Sequence, residues 1–318
     1  NTEFQKKGPI TKVVMNHDTS KMVSSIHEAL VKCGAHDGMT LGFHHHFRDG
    51  DLVVNMVMEE VHKMGIKDVT ICASSLGKAH APLVPMIEDG TITEDSCKMG
   101  YVGAFPYAEV ISGYTSFYLG AKSVCPSVTM EVKYTNSWAS FDLEKECADA
   151  LISDGCVLIS QHADTTGAPT ACEAAGVPCV GYNIDMTSVA PNTALTSASM
   201  DWGVYYTYAV QCMLDGTAID TDWCKGFSDG ADKITPLNEK VVAEGTDEKV
   251  KEVEDALADG SLHVFDTSTF TVDGKELTTY KKDGSDTEYV SDGYFHESEY
   301  GSAPAFDVAI DGITSITE

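Results

Sequence analysis

Short apolar runs alternate with amphipathic segments of helical period through most of this 318-residue chain. From Lys98 onward the pattern repeats four times: the runs MGYVGAF, TMEVKYTNSW, CVLISQHAD and PCVGYNIDM are typical of strands, and a helical segment follows each. Apolar strands joined to helices by short connections are typical of a sheet that helices cover on both faces. The sequence therefore predicts an α/β fold with a parallel, doubly wound, Rossmann-like sheet.

A separate α/β pattern precedes this series. MTLGFHH and DVTICASS are predicted strands, LVVNMVMEEVHKMG is a predicted helix for which Asp51 can act as N-cap, and HAPLVPMIEDG is a predicted short helix. After Asp220 the sequence predicts a loop with an edge strand, an acidic amphipathic helix in TDEKVKEVEDALADGS, and a hairpin that turns at Asp273–Gly274.

The charge of the chain limits its partners. Forty-nine acidic residues against 21 Lys and Arg give a formal net charge of -28, which repels phosphate backbones and anionic lipid. We therefore predict no polymeric nucleic acid partner and no binding to a membrane surface. No apolar run approaches the roughly 20 residues of a membrane helix. Because the sequence starts at Asn rather than Met, we expect that an export signal could have been removed.

Cysteine and histidine patterns predict neither a metal site nor a cofactor. The ten cysteines form no CxxC pair and no zinc spacing, and most lie in apolar runs, which favours reduced core thiols in the cytoplasm or outside an anaerobic cell. In FHHHFRDGD only His44 and His46 would share a strand face, with His45 opposite, and no carboxylate or thiol is suitably spaced. Ser74 and Ser75 lack the glycines of a nucleophile elbow.

Three successive predicted strands end in polar or aromatic residues, in TNSW, QHADTTG and NIDM. Ligands of open α/β sheets lie outside the carboxyl ends of the strands. The sequence therefore predicts a ligand site at this edge of the sheet, with Asn136, Asp164 and Asp185 at the ends of adjacent strands.

Residues 20 to 93, which include DGMTLGFHHHFRDGDLVVNMVMEEVHKMG and DVTICASSLGKAHAPLVPMIEDG, resemble the opening of the citrate lyase alpha subunit, a relative of the CoA-transferases. The resemblance implies exchange of acyl groups on a thioester carrier. It stops after a βαβα segment, which cannot be expected to catalyse that reaction alone.

From about Cys97 to the end, the sequence resembles the BMP family of purine-nucleoside receptor lipoproteins, the binding components of ABC transporters. The residues that carry this resemblance include CKMGYVGAFPYAEVISGYTSFYLGAKSV, VKYTNSWASFDLEKECADALISDGCVLISQHADTTGAP and the tail FDTSTFTVDGKELTTY. The resemblance implies one lobe of a type I periplasmic binding protein in residues 96–318, preceded by a citrate-lyase-like segment in residues 1–95. It also implies a transporter permease as partner and a lipid anchor outside this sequence.

A purine needs an aromatic face for stacking and polar groups along its edge. Trp138 is the predicted stacking residue, with a core or hinge position as the alternative. Asn136, Asp164 and Asp185 are predicted to contact base or ribose, with N-capping of the following helices as the alternative. The remaining predicted ligand-binding residues are His162, which could instead orient Asp164, Asn183, and Trp202, which lines the cleft or merely staples its helix.

The chain departs from the family pattern because the first lobe, which normally precedes the GYVxAFP strand, is replaced by the citrate-lyase-like segment. The junction falls between Gly90 and Gly100, and it is either a fusion of two genes or a structural substitute for that lobe. The prediction is a non-enzymatic receptor for a purine base or nucleoside at the outer face of the cell membrane. The alternative is a cytoplasmic citrate lyase fragment that contacts an acyl-thioester through residues 44–48.

Overall fold

The computed structural model describes residues 22–43, 52–73, 78–88, 90–92, 97–243 and 245–316. Contacts within the chain divide it into two compact units, Asn1–Asp95 (unit 1) and Ser96–Glu318 (unit 2). Within the described ranges, no helix is long and apolar enough to cross a bilayer.

Unit 1 is a small α/β arrangement with a core of its own. Strands β1 (Thr40–Phe43) and β2 (Thr70–Ala73) pair in parallel. The helices are α1 (Ile26–Cys33), α2 (Val53–Lys63), a 3-10 helix (Lys78–Leu83) and α3 (Val84–Glu88). The apolar stripe of α2 supplies the fully buried centre of this core, Val54, Met58 and Val61. Both predicted strands and the main helix of this segment are thus present.

Several predicted features of unit 1 lie outside the described residues: Asp51, Ser74, Ser75, the triplet His44–His46, and Arg48. The N-cap position of α2 is Leu52, which makes no side-chain cap hydrogen bond. The predicted short helix after β2 is split, because a 3-10 turn that contains Pro82 comes before the α-helical turn.

Unit 2 is built on a seven-stranded sheet in the order β11-β4-β3-β5-β6-β7-β8. The strands are β3 (Lys98–Gly103), β4 (Thr129–Tyr134), β5 (Leu158–His162), β6 (Cys179–Tyr182), β7 (Ala194–Met200), β8 (Asp232–Ile234) and β11 (Ile313–Ile316). All neighbours are parallel except the edge strand β8, which pairs antiparallel with β7. Counted from β3, the central order is 2-1-3-4-5, one of the two common doubly wound orders, which confirms the predicted fold class.

The helices of unit 2 are α4 (Ala108–Val124), α5 (Phe141–Ser153), α6 (Gly167–Ala175), α7 (Trp202–Asp215) and α8 (Thr246–Asp259). The predicted span of α4 is reproduced to the residue. Two cores result: one joins α4 and the sheet to aromatic residues of the C-terminal segment, and the other fills the space among α5, α6 and the sheet.

The structure corrects the sequence analysis at three places in unit 2. The strands β7 and β11 were not predicted. The hairpin predicted around Asp273–Gly274 is reduced to its turn: both residues have positive φ, and only an isolated bridge joins Val272 to Lys275. A different short hairpin, β9 (Val290–Ser291) with β10 (Tyr294–Phe295), follows it.

Nine of the ten cysteines have side chains that the structure describes, and these nine are free thiols. Fewer of them are buried than their apolar surroundings predict. Cys156, Cys172, Cys179 and Cys212 are buried, whereas Cys33, Cys97 and Cys224 are exposed.

Candidate ligand site at the strand ends

The predicted residues do follow the carboxyl ends of parallel strands. β4 ends at Tyr134, β5 at His162 and β6 at Tyr182. Because these strands run in the same direction, the segments that follow them emerge at one edge of the sheet.

Hydrogen bonds hold three of the predicted residues next to one another. The Asp164 backbone N–H donates to the Trp138 carbonyl O at 2.8 Å, which joins the segments after β4 and β5. The Asn183 side-chain Nδ2 donates to Asp164 Oδ1 at 3.1 Å, which extends the connection to the segment after β6. Asp164 is exposed, and within the described residues its second carboxylate oxygen, Oδ2, accepts no hydrogen bond, so a ligand donor can use it.

An aromatic cluster lies beside this polar row. The Trp138 ring is half-buried, with ring centroids at 5.4 Å from Phe105 and 6.2 Å from Tyr107. Phe105 and Tyr107 stack on each other at 5.2 Å, and Tyr107 is 54% exposed. Trp138 also packs against the core that contains α4. One part of its ring therefore belongs to the core, as the alternative prediction had it, and another part is available to a ligand.

Phe105 and Tyr107 are not among the residues predicted from the sequence. They lie in AFPYAEV, directly after β3, and two aromatic residues at the carboxyl end of a strand are the signal that could have identified them.

His162 is only 6% exposed, yet neither ring nitrogen makes a hydrogen bond within the described residues. Its Nε2 lies 3.6 Å from Glu109 Oε1, and its ring packs 4.3 Å from Tyr182. Burial lowers the pKa of His162, and the nearby Glu109 carboxylate opposes this only in part. The ring is therefore neutral at neutral pH. Gly113 makes room for it, since a Cβ there would lie 2.7 Å from His162 Nδ1.

Asn136 and Asn183 both take left-handed backbone conformations, with φ of 53° and 67°. Asparagine tolerates this region better than most residues. Asn136 is exposed, and Asn183 is fixed by its backbone N–H to the Ala198 carbonyl (2.8 Å) and by its own carbonyl, which accepts from Ser199 Oγ (2.8 Å).

Asp185 and Trp202 make their contacts away from the Trp138–Asp164–Asn183 row. Asp185 Oδ1 accepts from the Thr187 backbone N–H at 2.8 Å, which caps a turn. Trp202 is the first residue of α7, is 58% exposed, and stacks on Tyr206 one turn later at 6.4 Å. Its contact is therefore within its own helix.

The alternative role of helix N-capping does not describe Asn136, Asp164 or Asp185. The N-cap positions of α5 and α6 are Ser140 and Thr166, and Asp201 caps α7 by accepting from the Gly203 N–H at 2.9 Å.

A surface depression adjoins Asp185. Its lining combines the turn after β6 with the segment after β8: Asp185, Thr187, Pro191, Pro236, Leu237, Asn238, Glu239 and Lys240. Among the described ranges, no group of three or more His, Cys, Asp or Glu side chains is placed to hold a metal ion.

Comparison with known proteins assigns the two parts of the chain to different families. Residues 19–113 match the family model for citrate lyase, alpha subunit, and residues 93–261 match the model described as ABC transporter substrate-binding protein PnrA-like. The citrate lyase alpha chain of Escherichia coli is 51% identical over 73 residues, which cover 23% of this chain and 14% of that protein.

Two relatives match the second part. A purine-binding protein of Brucella abortus is 35% identical over 182 residues, covering 56% of this chain and 50% of that protein. A candidate ABC transporter glucose-binding protein of Haloferax volcanii is 32% identical over 189 residues, covering 59% of this chain and 48% of that protein. The chain thus spans about half the length of these binding proteins. With more than half of its length matched by that one model, the chain belongs to the PnrA-like family of ABC transporter substrate-binding proteins.

Proposed function

We propose that unit 2 binds a purine base or nucleoside at the strand ends and delivers it to the permease of an ABC transporter on the outer face of the cell membrane. The observation that carries this proposal is that an accessible aromatic cluster and an exposed carboxylate lie on neighbouring segments, which the backbone hydrogen bond from the Asp164 N–H to the Trp138 carbonyl O holds together. Aromatic faces stack on bases, and carboxylate oxygens accept from sugar hydroxyls or base amino groups.

Within this proposal Trp138 and Tyr107 provide the stacking surface, and Asp164 and Asn183 bind the polar edge. Two residues contact the ligand at the periphery of the site: Asn136, which follows β4, and Asp185, which lies beside the depression. Trp202 borders the site from α7. His162 remains neutral, so that one ring nitrogen donates and the other accepts. The family membership and the Brucella relative, which is named as purine-binding, support this ligand class. A lipid anchor outside this sequence would hold the protein at the membrane.

Isothermal titration of the full chain with adenine, adenosine, guanosine, inosine and glucose tests the proposal. We expect a purine to bind with a Kd below millimolar, and Trp138→Ala to weaken binding by about 1–3 kcal/mol, the usual contribution of base–aromatic stacking. Trp138→Phe retains part of the affinity. Leu262→Ala, at an exposed position on the loop after α8, is the matched control and leaves affinity unchanged. Binding of glucose without purine binding, or no effect of Trp138→Ala, contradicts the proposal.

Unit 1 shares high sequence identity with citrate lyase alpha chains. This similarity favours a second candidate function, the binding of an acyl-thioester. It predicts binding of CoA or acetyl-CoA by the full chain and loss of that binding on Arg48→Ala. If neither CoA nor acetyl-CoA binds, the similarity reflects ancestry alone.

A further inference from the structure

A serine, a histidine and a glutamate form one hydrogen-bonded chain in the β9–β10 hairpin and the residues directly after it, beyond the segment matched by the binding-protein family model. Ser291 Oγ lies 2.7 Å from His296 Nε2, and His296 Nδ1 lies 2.6 Å from Glu299 Oε2. Both distances are within hydrogen-bonding range for a nucleophile, a base and an orienting acid.

The partners fix the tautomer of His296. A carboxylate only accepts hydrogen bonds, so Nδ1 carries the proton and donates to Glu299. In the neutral ring Nε2 then has a free lone pair, which accepts the Ser291 hydroxyl proton. Nε2 also lies 3.3 Å from the Ser291 carbonyl O, which can accept from the ring once it is protonated. The connectivity is that of a Ser–His–acid triad.

The three side chains of the triad differ in their exposure to solvent. His296 is 5% exposed, whereas Ser291 and Glu299 are exposed. The base is thus shielded from water while the hydroxyl stays accessible. The second oxygen of Glu299, Oε1, accepts from Tyr294 Oη at 2.9 Å, so both carboxylate oxygens are held. Hydrogen bonds from His296 and Tyr294 lower the pKa of Glu299 against the opposing effect of burial, which keeps it ionised at neutral pH.

The two turn residues that follow Ser291 in the hairpin carry backbone donors. Asp292 and Gly293 have φ of 52° and 89°, and their N–H groups make no hydrogen bond within the described part of the chain. In serine hydrolases with a nucleophile elbow, the N–H of the residue after the nucleophile stabilises the oxyanion. The Asp292 carboxylate, with Oδ2 3.4 Å from Ser291 Oγ, opposes that stabilisation by its charge.

We propose that Ser291, His296 and Glu299 form a hydrolytic site for neutral aryl esters of short-chain acids. Ser291 Oγ attacks the acyl carbon while its proton passes to His296 Nε2; the bond to the alcohol breaks, and the alcohol leaves with that proton. A water molecule then gives a proton to Nε2 and attacks the acyl–serine, the carboxylic acid departs, and Ser291 regains its proton. Ester and water are consumed, and acid and alcohol are produced.

The surroundings of the triad define this substrate class. Asp292 lies with its Oδ2 3.4 Å from the hydroxyl, and Glu299 lies behind His296. These two carboxylates and the net charge of -28 disfavour anionic substrates. Tyr300 is 50% exposed, and its ring lies 5.8 Å from that of His296, so it offers an apolar surface for an aryl group. If the same hydrogen bonds serve only to hold the hairpin, Ser291 has no enhanced reactivity.

Labelling of the full chain with a fluorophosphonate, followed by peptide mass spectrometry, tests the proposal directly. We expect an adduct on Ser291 and none on Ser291→Ala. Ser268 is the matched control, because its exposed hydroxyl donates to Asp266 Oδ1 at 2.7 Å instead of to a histidine. Ser268→Ala therefore labels like the wild-type chain. Equal labelling of Ser268 and Ser291, or none at Ser291, overturns the proposal.

Hydrolysis of p-nitrophenyl acetate gives the second measurement. His296→Gln lowers the rate about 100-fold, the lower range for general base catalysis. Because His296 is buried, Asp292→Asn provides an independent variant: Asn keeps the left-handed turn and removes the charge, so the rate rises. A rate unchanged in both variants contradicts a hydrolytic site.

Glu299 is a positioning residue, and its test separates kcat from KM for p-nitrophenyl acetate. Glu299→Gln removes the carboxylate that accepts from His296 Nδ1, so kcat falls while KM stays unchanged. Glu299→Asp keeps a carboxylate and recovers part of kcat. A change in KM alone, or equal kcat in the two variants, indicates a structural role and contradicts the assignment.

Discussion

Gly312, the residue before β11, illustrates how strongly single positions constrain unit 2. Its φ is 94°, and a Cβ there would overlap Tyr118 Oη and lie 2.8 Å from Cζ of the same buried ring. We expect Gly312→Ala to lower the free energy of unfolding by about 2–4 kcal/mol, the sum of backbone strain and displacement of a packed ring.

Gly284→Ala is the matched control for that substitution, because Gly284 has φ of 78° but open space around its Cβ position. It should cost about 1–2 kcal/mol, from the backbone alone. Urea unfolding followed by tryptophan fluorescence measures the free energy of unfolding of both variants. Equal decreases would show that the Tyr118 ring moves aside without an energetic penalty and would contradict the prediction.

The Glu297 carboxyl makes the free energy of unfolding of unit 2 depend on pH. Burial raises its pKa, against the hydrogen bond at 2.6 Å that its Oε2 accepts from the Phe306 backbone N–H. The folded state therefore holds this proton more tightly than the unfolded state, and the stabilisation, complete below the ordinary pKa of 4.5, is lost as pH rises through the raised value. We expect Glu297→Gln to gain stability relative to wild type between pH 4 and pH 7.5. A difference in unfolding free energy that stays constant over this range contradicts the assignment.

For the candidate site, the sequence alone predicts only some of the residues that the structure brings together. Asp164, Asn183 and Trp138 were predicted because the linear sequence alone shows polar and aromatic residues directly after predicted strands. Phe105 and Tyr107 were missed because their partner, Trp138, is distant in sequence and β3 lies beside β4 only in the folded sheet. The contacts of Asp185 with Thr187 and of Trp202 with Tyr206 are local, but the choice between these and ligand contacts depends on side-chain directions that spacing does not define.

At the scale of elements, β11 shows the limit of periodicity. The helices of unit 2 were predicted well because an amphipathic stripe identifies a helix without its partner. β11 is four residues long and pairs with β4 across most of the unit, in the register Ile313–Met130. β7, in ALTSASM, consists largely of small and polar residues, so its sequence lacks the apolar signal of a buried strand.

Removal of β11 tests what that pairing contributes. A chain that ends at Gly312 leaves β4 as an edge strand with unpaired backbone groups, which are a template for association. We expect a lower urea midpoint by tryptophan fluorescence and aggregates in size-exclusion chromatography with light scattering. A chain that ends at Ile316 keeps the whole strand and is the control; if both truncated chains remain monomeric and equally stable, β11 does not protect the sheet.

At the scale of the whole molecule, the two units have separate hydrophobic cores, and this separation can be measured. All three tryptophans, Trp138, Trp202 and Trp223, belong to unit 2, so their fluorescence reports on that unit alone. Met58 in α2 and Met130 in β4 are both essentially inaccessible, at 0% and 1% exposure, and each belongs to the core of its own unit. Truncation of a buried Met to Ala costs about 2–5 kcal/mol.

Met58→Ala should therefore increase the exchange rate of the α2 amide hydrogens and leave the tryptophan unfolding transition in place. Met130→Ala should shift the tryptophan transition to lower urea and leave α2 exchange unchanged. If either variant moved both signals, the two cores would unfold cooperatively, and the ligand site at the strand ends would depend on unit 1 for its stability. Independent responses would instead mean that purine binding and acyl-thioester binding can be tested by variants in one unit without disturbing the other.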